Sequence, residues 1–173
     1  NECPLPVIGL VHGAALGGGV GIVACCDYVM AEESTQFGLT EVKMGLVPAV
    51  ISPYVLNKLN ESYSRAYFLS GEKFSATEAR QMGLVHKLYT EETLSVTFNN
   101  LINEYLNAAP EAQKKAKELI KTISLHRYRS NTSYEEISKY TTNLIAMKRV
   151  GEEAQVGMQA VLEKRATPWN AIK

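Results

Sequence analysis

The order of apolar and polar residues along the chain indicates an α/β protein whose last part is helical. Apolar residues run almost without a break from Pro6 to Val11, and a second short apolar stretch covers residues 27–31. Runs of this length are typical of strands buried inside a sheet. The apolar segment Val20–Cys26 between them is predicted to form a helix, so buried strands and helices alternate near the start of the chain.

Capping signals divide the middle of the chain into short helices. Asn60 is a suitable N-cap, and Ser75 followed three residues later by Glu78 is a capping box. Before them, an apolar residue recurs every fourth position from Ile51, which predicts a helix with one apolar face. The predicted elements are helices at 50–59, 60–69 and 75–83, and a strand at 84–89.

From residue 91 onward the pattern changes to longer amphipathic helices. Pro110 suits the first turn of one helix, and Ser133 with Glu136 forms a second capping box. The predicted helices cover about 94–108, 110–123, 133–148 and 152–164, with a polar loop at 127–132.

Three consecutive glycines, Gly17–Gly19, stand where a buried strand gives way to a helix. Glycine has no Cβ to hold a ligand away from the main chain, and the first turn of a helix has N–H groups without internal partners. An oxygen that becomes negative during a reaction would be stabilised there. Close packing of the helix on the sheet would also explain the glycines. A nucleotide-phosphate loop is disfavoured, because no Lys or Ser/Thr follows Gly19 and the G-x-G-x-x-G spacing is missing.

Further motifs make the chain resemble the crotonase family, the enoyl-CoA hydratase/isomerase superfamily. The resemblance implies an α/β crotonase-like ββα spiral with a C-terminal helical region. Residues 45–54 are similar in particular to bacterial 3-methylglutaconyl-CoA hydratases. The segments that carry the resemblance are His12-Gly-Ala-Ala-Leu-Gly-Gly-Gly, Cys26-Asp27, Phe37-Gly with Glu41, Gly45-Leu-Val-Pro48, Ser75-Ala-Thr-Glu-Ala79 and Gly83-Leu-Val85.

The resemblance also implies an acyl-CoA site. In it, the Gly18 N–H matches an oxyanion-hole donor to the thioester carbonyl, and Glu41 matches one of two catalytic glutamates. The second glutamate falls at Gly21, so the chain departs from the two-carboxylate pattern. The helix at 50–59 would flank this site. Coenzyme A would be part of the substrate, and no further cofactor is expected. The residues expected to contact substrate are Leu16, Gly17, Gly19, Gly21, Pro48 and Val50.

The missing second glutamate leaves three functions open. A hydratase is preferred: Glu41 alone would take a proton from water and return it to the enolate, or a carboxylate on a methylglutaconyl-like substrate would help to orient the water. An isomerase would need only Glu41, which would move one proton between two carbons. A catalytically silent CoA-binding or assembly fragment is the third hypothesis. Without the family pattern, Glu41 would be read as a solvated carboxylate in a short helix.

Members of the family carry an N-terminal half that supplies the first oxyanion amide in an Ala-x-Ala-x-Asp-like segment, and residues 1–5 contain none. We therefore expect the chain to be a truncated spiral, and weakly active or inactive by itself. The predicted domains are 1–90, the C-terminal part of the spiral core, and 91–173, a helical assembly or lid region. Tails of this kind join trimers in the family, so a homotrimer or hexamer is expected.

Composition disfavours several other classes of protein. The chain has 18 basic and 18 acidic residues and no clustered basic patch, so nucleic acid is not an expected partner. Its longest apolar run is too short to cross a bilayer, and its start does not resemble a signal peptide, so a cytoplasmic protein without membrane contact is expected. Cys25 and Cys26 are adjacent and Cys3 stands apart, so neither a metal site nor a disulfide framework is expected, and buried reduced thiols are favoured. His12, His86 and His126 are scattered, and packing or capping roles are favoured for them.

Overall fold

The structure is a computed structural model that describes residues 1–127 and 133–171, without the side chains of 125–127 and 171. It divides into two compact units, 1–99 and 100–173. The boundary between the units lies inside a helix, nine residues after the domain boundary predicted at residue 90. The functional domains proposed from the sequence stay a prediction.

The first unit is built on two small sheets. One has the order β1-β3-β6 and is parallel throughout, and the other has the order β2-β4-β5, with β2 parallel and β5 antiparallel to β4. Parallel neighbours with helices between them are the α/β arrangement that the sequence predicts. The strands are β1 Ile8–Val11, β2 Ala14–Leu16, β3 Tyr28–Glu32, β4 Gln36–Gly38, β5 Lys73–Ser75 and β6 Lys87–Tyr89.

Short helices connect these strands. Asn60 Oδ1 accepts a hydrogen bond from the Tyr63 N–H at 3.0 Å, so the predicted N-cap is confirmed. The predicted capping box is also confirmed, because the Glu78 N–H donates to Ser75 Oγ at 3.2 Å and the Ser75 N–H donates to Glu78 Oε2 at 2.7 Å. The helices are α1 Gly18–Cys25, a 3-10 helix Thr40–Met44, α2 Ser52–Lys58, α3 Glu61–Ser70 and α4 Ala76–Gln81.

An apolar core joins the second sheet to the surrounding helices. Phe37 of β4 and Phe74 of β5 are paired in register and stack with ring centroids 5.8 Å apart. Tyr67 of α3 packs on Phe74 at 4.6 Å. Val20 and Val23 of α1 are buried in the same core, so the position of this helix is held by packing against the sheet.

The sequence did not predict β2, β4 and β5, each of which has three residues. The strand predicted at 84–89 is also shorter than expected, since only 87–89 pair with β3. A three-residue strand is too short to show an alternating pattern, and its formation depends on the neighbouring strand rather than on its own residues.

His86 has the structural role that the sequence favours for it. Its ring Nδ1 accepts a hydrogen bond from the Val29 N–H at 2.9 Å, and its main-chain N–H donates to the Val29 carbonyl at 2.9 Å. The imidazole ring also stacks on Tyr28. Partial burial, with help from the charge of Lys58, lowers the pKa of His86. By contrast His12 is exposed, and the side chain of His126 lies outside the described residues.

Of the three cysteines, Cys26 is buried, Cys25 is half-buried, Cys3 is exposed, and each is a free thiol. Burial raises the pKa of the Cys26 thiol, so the neutral form is favoured. The expectation of buried thiols therefore holds for Cys26 and in part for Cys25, and is wrong for Cys3.

The second unit consists of helices. Ser133 forms the predicted capping box with Glu136 at the start of α7. The carboxylate of Glu153 accepts hydrogen bonds from the N–H groups of Glu111 and Ala112 at 3.0 and 2.8 Å, which caps α6 from a neighbouring helix. The helices are α5 Glu91–Leu106, which begins in the first unit, α6 Pro110–Arg127, α7 Tyr134–Arg149, α8 Glu152–Leu162 and a 3-10 helix Pro168–Ala171.

Helix α6 extends to Arg127, beyond the predicted end at 123, and residues 128–132 of the predicted loop lie outside the described part of the chain. Near the C-terminus, Trp169 Nε1 donates to the Asn107 carbonyl at 3.1 Å. None of the helices in 1–127 and 133–171 combines the length and the apolar composition that a membrane span requires.

Candidate active site

The glycine turn lies between β2 and α1. Gly17 has φ 51° and ψ −118°, a backbone conformation that L side chains rarely adopt, so this position requires glycine. Its N–H donates to the Gly38 carbonyl of β4 at 2.8 Å, and its carbonyl accepts from the Val20 N–H at 3.0 Å. The turn is therefore fixed on one side by the sheet and on the other by the first turn of the helix.

Gly18, by contrast, has no structural reason to be glycine. Its φ is not in the left-handed region, and a Cβ added to it would meet no atom within 4 Å. Its N–H begins α1 and donates to no acceptor among the described residues. A helix-start N–H without an acceptor can donate to an electron-rich oxygen of a ligand.

Glu41 lies in the 3-10 helix that follows β4, and its side chain is directed to the same turn. Its Oε1 would be 3.2 Å from a Cβ placed on Gly17, so the carboxylate lies against the Gly17 main chain. The 3-10 helix ends at Gly45, whose left-handed φ of 73° allows the chain to reverse, and the Leu46 N–H then donates to the Glu41 carbonyl at 3.1 Å. The 3-10 helix after β4 thus places the Glu41 carboxylate beside the start of α1.

The Glu41 carboxylate is only partly satisfied. Its Oε2 is buried and has no hydrogen-bond partner among the described residues. A buried carboxylate oxygen without a donor is unfavourable, because desolvation is not offset by a hydrogen bond. A ligand that brings a proton or an O–H group to this oxygen would remove the penalty. The arrangement can therefore combine stabilisation of a negative oxygen with proton transfer.

Gly21, where the resemblance would place a second carboxylate, is buried and has no room for a side chain. A Cβ added there would clash with the Ile51 Cγ2 and would be 2.8 Å from the Ile51 Cβ. Ile51 is the residue just before α2, and its side chain packs against the core. Sequence reasoning placed Ile51 on a helix flanking the site and did not identify its contact with Gly21.

The other residues expected to contact substrate lie at different levels of burial. Gly19 is half-buried, and Leu16, at the end of β2, is 38% exposed. Pro48 is buried, whereas Val50 is 85% exposed. Gly17, another of the expected residues, lies against the Glu41 carboxylate. The contacts of all these residues with substrate stay predictions. Gly38, which the sequence analysis noted only as part of a motif, supplies the carbonyl that holds Gly17.

A separate groove of about 640 Å³ lies in the second unit, between α6, α7 and α8. Its walls are mainly apolar, with Leu119, Leu144 and Trp169 among the lining residues, and Glu111, Lys115 and Lys148 add charge. It includes neither Glu41 nor the glycine turn, so its size does not make it the candidate active site. Among the described residues no group of three His, Cys, Asp or Glu side chains could hold a metal ion.

The family model described as enoyl-CoA hydratase/isomerase matches residues 1–171. The crystal structure of an enoyl-CoA hydratase/isomerase (crotonase) from Legionella pneumophila is 41% identical, with a TM-score of 0.84, over 98% of this chain and 63% of that one. An enoyl-CoA hydratase from Shewanella pealeana is 35% identical, with a TM-score of 0.87, over 96% of this chain and 60% of that one. An enoyl-CoA hydratase of Alternaria alternata is 29% identical over 175 residues, which are 100% of this chain and 57% of that protein.

These comparisons confirm the α/β spiral fold with C-terminal helices that the sequence predicts. They also show that the chain spans only about three fifths of the length of the proteins it matches.

Proposed function

Because the chain belongs to the enoyl-CoA hydratase/isomerase family, we propose that it contributes to a protein that hydrates a conjugated enoyl-CoA thioester with a branched or carboxylated, methylglutaconyl-like acyl group. The observation that carries the proposal is the Gly18 N–H, which donates to no acceptor among the described residues, next to Gly17, against which the Glu41 carboxylate with its buried and unpartnered Oε2 lies. Coenzyme A is part of the substrate in this proposal, and no further cofactor takes part.

The proposed reaction uses the two groups in sequence. The Gly18 N–H donates to the thioester oxygen, which withdraws electrons from the conjugated double bond. Glu41 removes a proton from water as the water oxygen bonds to the β-carbon, and the double-bond electrons move to the enolate. The same carboxylate then returns that proton to the α-carbon. Water is thereby added across the double bond, and Glu41 is ionised again at the end.

The packing around Gly21 supports a mechanism with one protein carboxylate. Ile51 fills the space beside Gly21, so a second carboxylate at that position is sterically excluded in this conformation. A carboxylate carried by the substrate would provide a group that helps to orient the water. This is the reason for preferring a carboxylated acyl group over a simple straight chain.

The same observation favours double-bond isomerisation as a second candidate function. Moving a double bond between neighbouring positions needs only one base, which removes a proton from one carbon and returns it to another. Glu41 has the required unpartnered oxygen, and no second group is needed.

The test is product analysis with the complete natural protein that contains this chain. The enzyme would be incubated separately with 3-methylglutaconyl-CoA, a 2-enoyl-CoA and a 3-enoyl-CoA. A hydratase adds water to the first or second, and an isomerase converts the third into its conjugated form. No change in any of the three would contradict both functions and would support the alternative of an inactive CoA-binding or assembly fragment.

Glu41→Gln is the matched test of the catalytic carboxylate, with Glu33→Gln as control because Glu33 is an exposed glutamate of the same unit. The first variant should lose turnover by at least about a hundredfold, since a positioned acid–base group contributes that much. Full activity of Glu41→Gln would remove Glu41 from the mechanism.

Assembly into a homotrimer or hexamer is a further part of the proposal. It is supported by apolar side chains that the second unit leaves exposed, among them Ile145, Val150, Val161 and Leu162. Light scattering of the purified protein measures the mass directly, and a monomer would contradict this part. The cytoplasmic location expected from the sequence stays a prediction.

A further inference from the structure

Gly17, just before α1, and Gly21, within it, each lie against the side chain of a residue from another element. Gly17 and Gly21 are four residues apart, and the Gly21 N–H donates to the Gly17 carbonyl at 3.4 Å, so they lie one helical turn from each other. The Glu41 carboxylate lies against the first glycine, and the Ile51 side chain lies against the second. Four residues of helix correspond to about 6 Å, so the main-chain positions that Glu41 and Ile51 contact are about one helical turn apart.

Ile51 is held firmly in this place. Its carbonyl accepts hydrogen bonds from the N–H groups of Tyr54 and Val55, at 3.1 and 3.0 Å, which fixes its main chain at the start of α2. Its side chain packs against the buried core, unlike the neighbouring Val50, which is 85% exposed. The adjacent Leu56 of α2 is an exposed apolar residue and makes a suitable comparison.

The contact with Gly21 involves more than the end of the Ile51 side chain. The Ile51 Cβ itself would be 2.8 Å from a Cβ on residue 21, and its Cα would be 3.7 Å away. Rotation about χ1 moves the Cγ atoms and leaves the Cβ where it is. A side chain at position 21 is therefore fully accommodated only if the main chain at residue 51 shifts or residue 51 has no Cβ.

We propose that Ile51 is the specificity-determining residue of the Glu41 site, and that it is the reason why residue 21 is glycine. Its side chain is an apolar wall beside Gly21, about 6 Å along α1 from the glycine that the Glu41 carboxylate contacts, and 6 Å is the length of a few carbon–carbon bonds. Substituents on the reacting carbons of an enoyl group, or on the next carbon, come within reach of this wall. The wall selects a small apolar branch such as a methyl group, and it rejects larger branches and polar groups at that point.

This inference rests on the proposed function, because it takes the site to hold an enoyl-CoA. One methylene group in an apolar pocket changes discrimination between substrates by about tenfold to two-hundredfold. Ile51→Ala removes three carbons from the wall. It should shift the ratio of kcat/KM for a large-branched over a methyl-branched 2-enoyl-CoA upward by about tenfold or more. The smaller change Ile51→Val should shift the ratio less, and Leu56→Ala should leave it unchanged.

The experiment uses the complete natural protein with the variants Ile51→Ala, Gly21→Ala and Gly21→Ala/Ile51→Ala, and with Leu56→Ala as control. The probes are 3-methyl-2-butenoyl-CoA and a 2-enoyl-CoA that carries an isopropyl group at carbon 3. Turnover and Tm are measured for each variant. Gly21→Ala should lower Tm and activity. The double variant should recover part of the lost Tm, because it removes the closest clash, with the Ile51 Cγ2, while the Cβ of residue 51 stays 2.8 Å from the added methyl group.

Each result decides the inference. If Ile51→Ala leaves the substrate ratio unchanged while Glu41→Gln abolishes turnover, the specificity role of Ile51 is wrong and the proposed function stands. If Gly21→Ala has the Tm of the parent, or the double variant is no more stable than Gly21→Ala, the packing relation between the two residues is wrong. If the parent turns over no enoyl-CoA, the proposed function fails and the specificity role fails with it, whereas Tm still decides the packing relation.

Discussion

Replacement of Gly18 by proline isolates the role of one main-chain hydrogen. Proline lacks the N–H, and its fixed φ suits the first position of a helix, where Gly18 stands. A proline disfavours the helical conformation in the residue before it. Gly17 has ψ −118° and is not in that conformation, so its backbone does not oppose a proline at position 18. The Gly18 N–H donates to no acceptor in the described part of the chain, so no hydrogen bond of the fold is lost.

The structure separates the effect on catalysis from the effect on folding. Loss of one oxyanion-hole donor lowers kcat by about 10²–10³-fold, which is about 2.7–4 kcal/mol of transition-state stabilisation. A proline at a compatible position changes the free energy of unfolding by about 0.4–1 kcal/mol, in the stabilising direction. We therefore expect Gly18→Pro to be folded, with an unchanged or slightly higher Tm, and to have lost most of its turnover.

The assay compares Gly18→Pro with Gly18→Ala in the complete natural protein. Alanine also adds carbon to the space in front of α1, where a Cβ meets no atom within 4 Å, but it keeps the N–H. Crowding of the substrate by that first carbon is common to both variants, so the ratio of their kcat values reports on the loss of the hydrogen together with the ring Cδ that takes its place in proline. Circular dichroism gives Tm for both.

The reasoning would be refuted if Gly18→Pro, folded with a normal Tm, turned over the enoyl-CoA as fast as Gly18→Ala. The amide would then have no role in stabilising the enolate oxygen. Equal and complete loss of turnover in both variants would instead place the obstacle in the added carbon, and substrate binding measured by calorimetry would show it.

Three further outcomes are expected. Glu41→Leu should abolish turnover and raise the free energy of unfolding by about 1 kcal/mol or more, because the unpartnered buried Oε2 is removed. Chemical denaturation measures the free energy of unfolding, and a variant less stable than the parent would contradict this prediction. The pKa of His86 is lowered in the fold, so the neutral form is favoured there and stability should fall as pH drops below the ordinary histidine value near 6.5. His86→Asn keeps an acceptor for the Val29 N–H, and its Tm between pH 7 and 5, values that bracket the ordinary histidine pKa, should fall less steeply than that of the parent. Gly157→Ala should displace Trp169, whose Cη2 would be 2.9 Å from the new Cβ. The chain has one Trp, so its fluorescence emission spectrum reports the displacement. An unchanged spectrum would show that the Trp169 ring does not pack against residue 157.

Local sequence signals predicted most of the helices and three of their N-caps, whereas α5 begins at Glu91 and not at the predicted residue 94. Asn60, Ser75 and Ser133 were identified as N-caps from residue type and spacing alone, because a cap is completed within three residues of the chain. The apolar runs that became β1 and β3 were also found, since strands buried in a parallel sheet are apolar throughout. These features depend on interactions close in sequence, so they can be read without knowledge of the fold.

Only the tertiary structure decided the contacts between residues that are far apart in the chain. The strands β2, β4 and β5 exist because three separate segments meet, and each alone is too short to carry a pattern. The sequence named Gly18 and Glu41 as candidates through a family resemblance, and the packing of the 3-10 helix placed the Glu41 carboxylate on Gly17. It also placed Ile51 in the space beside Gly21. A volume shared by residues thirty positions apart leaves no trace in local composition, because close packing is a property of the assembled core.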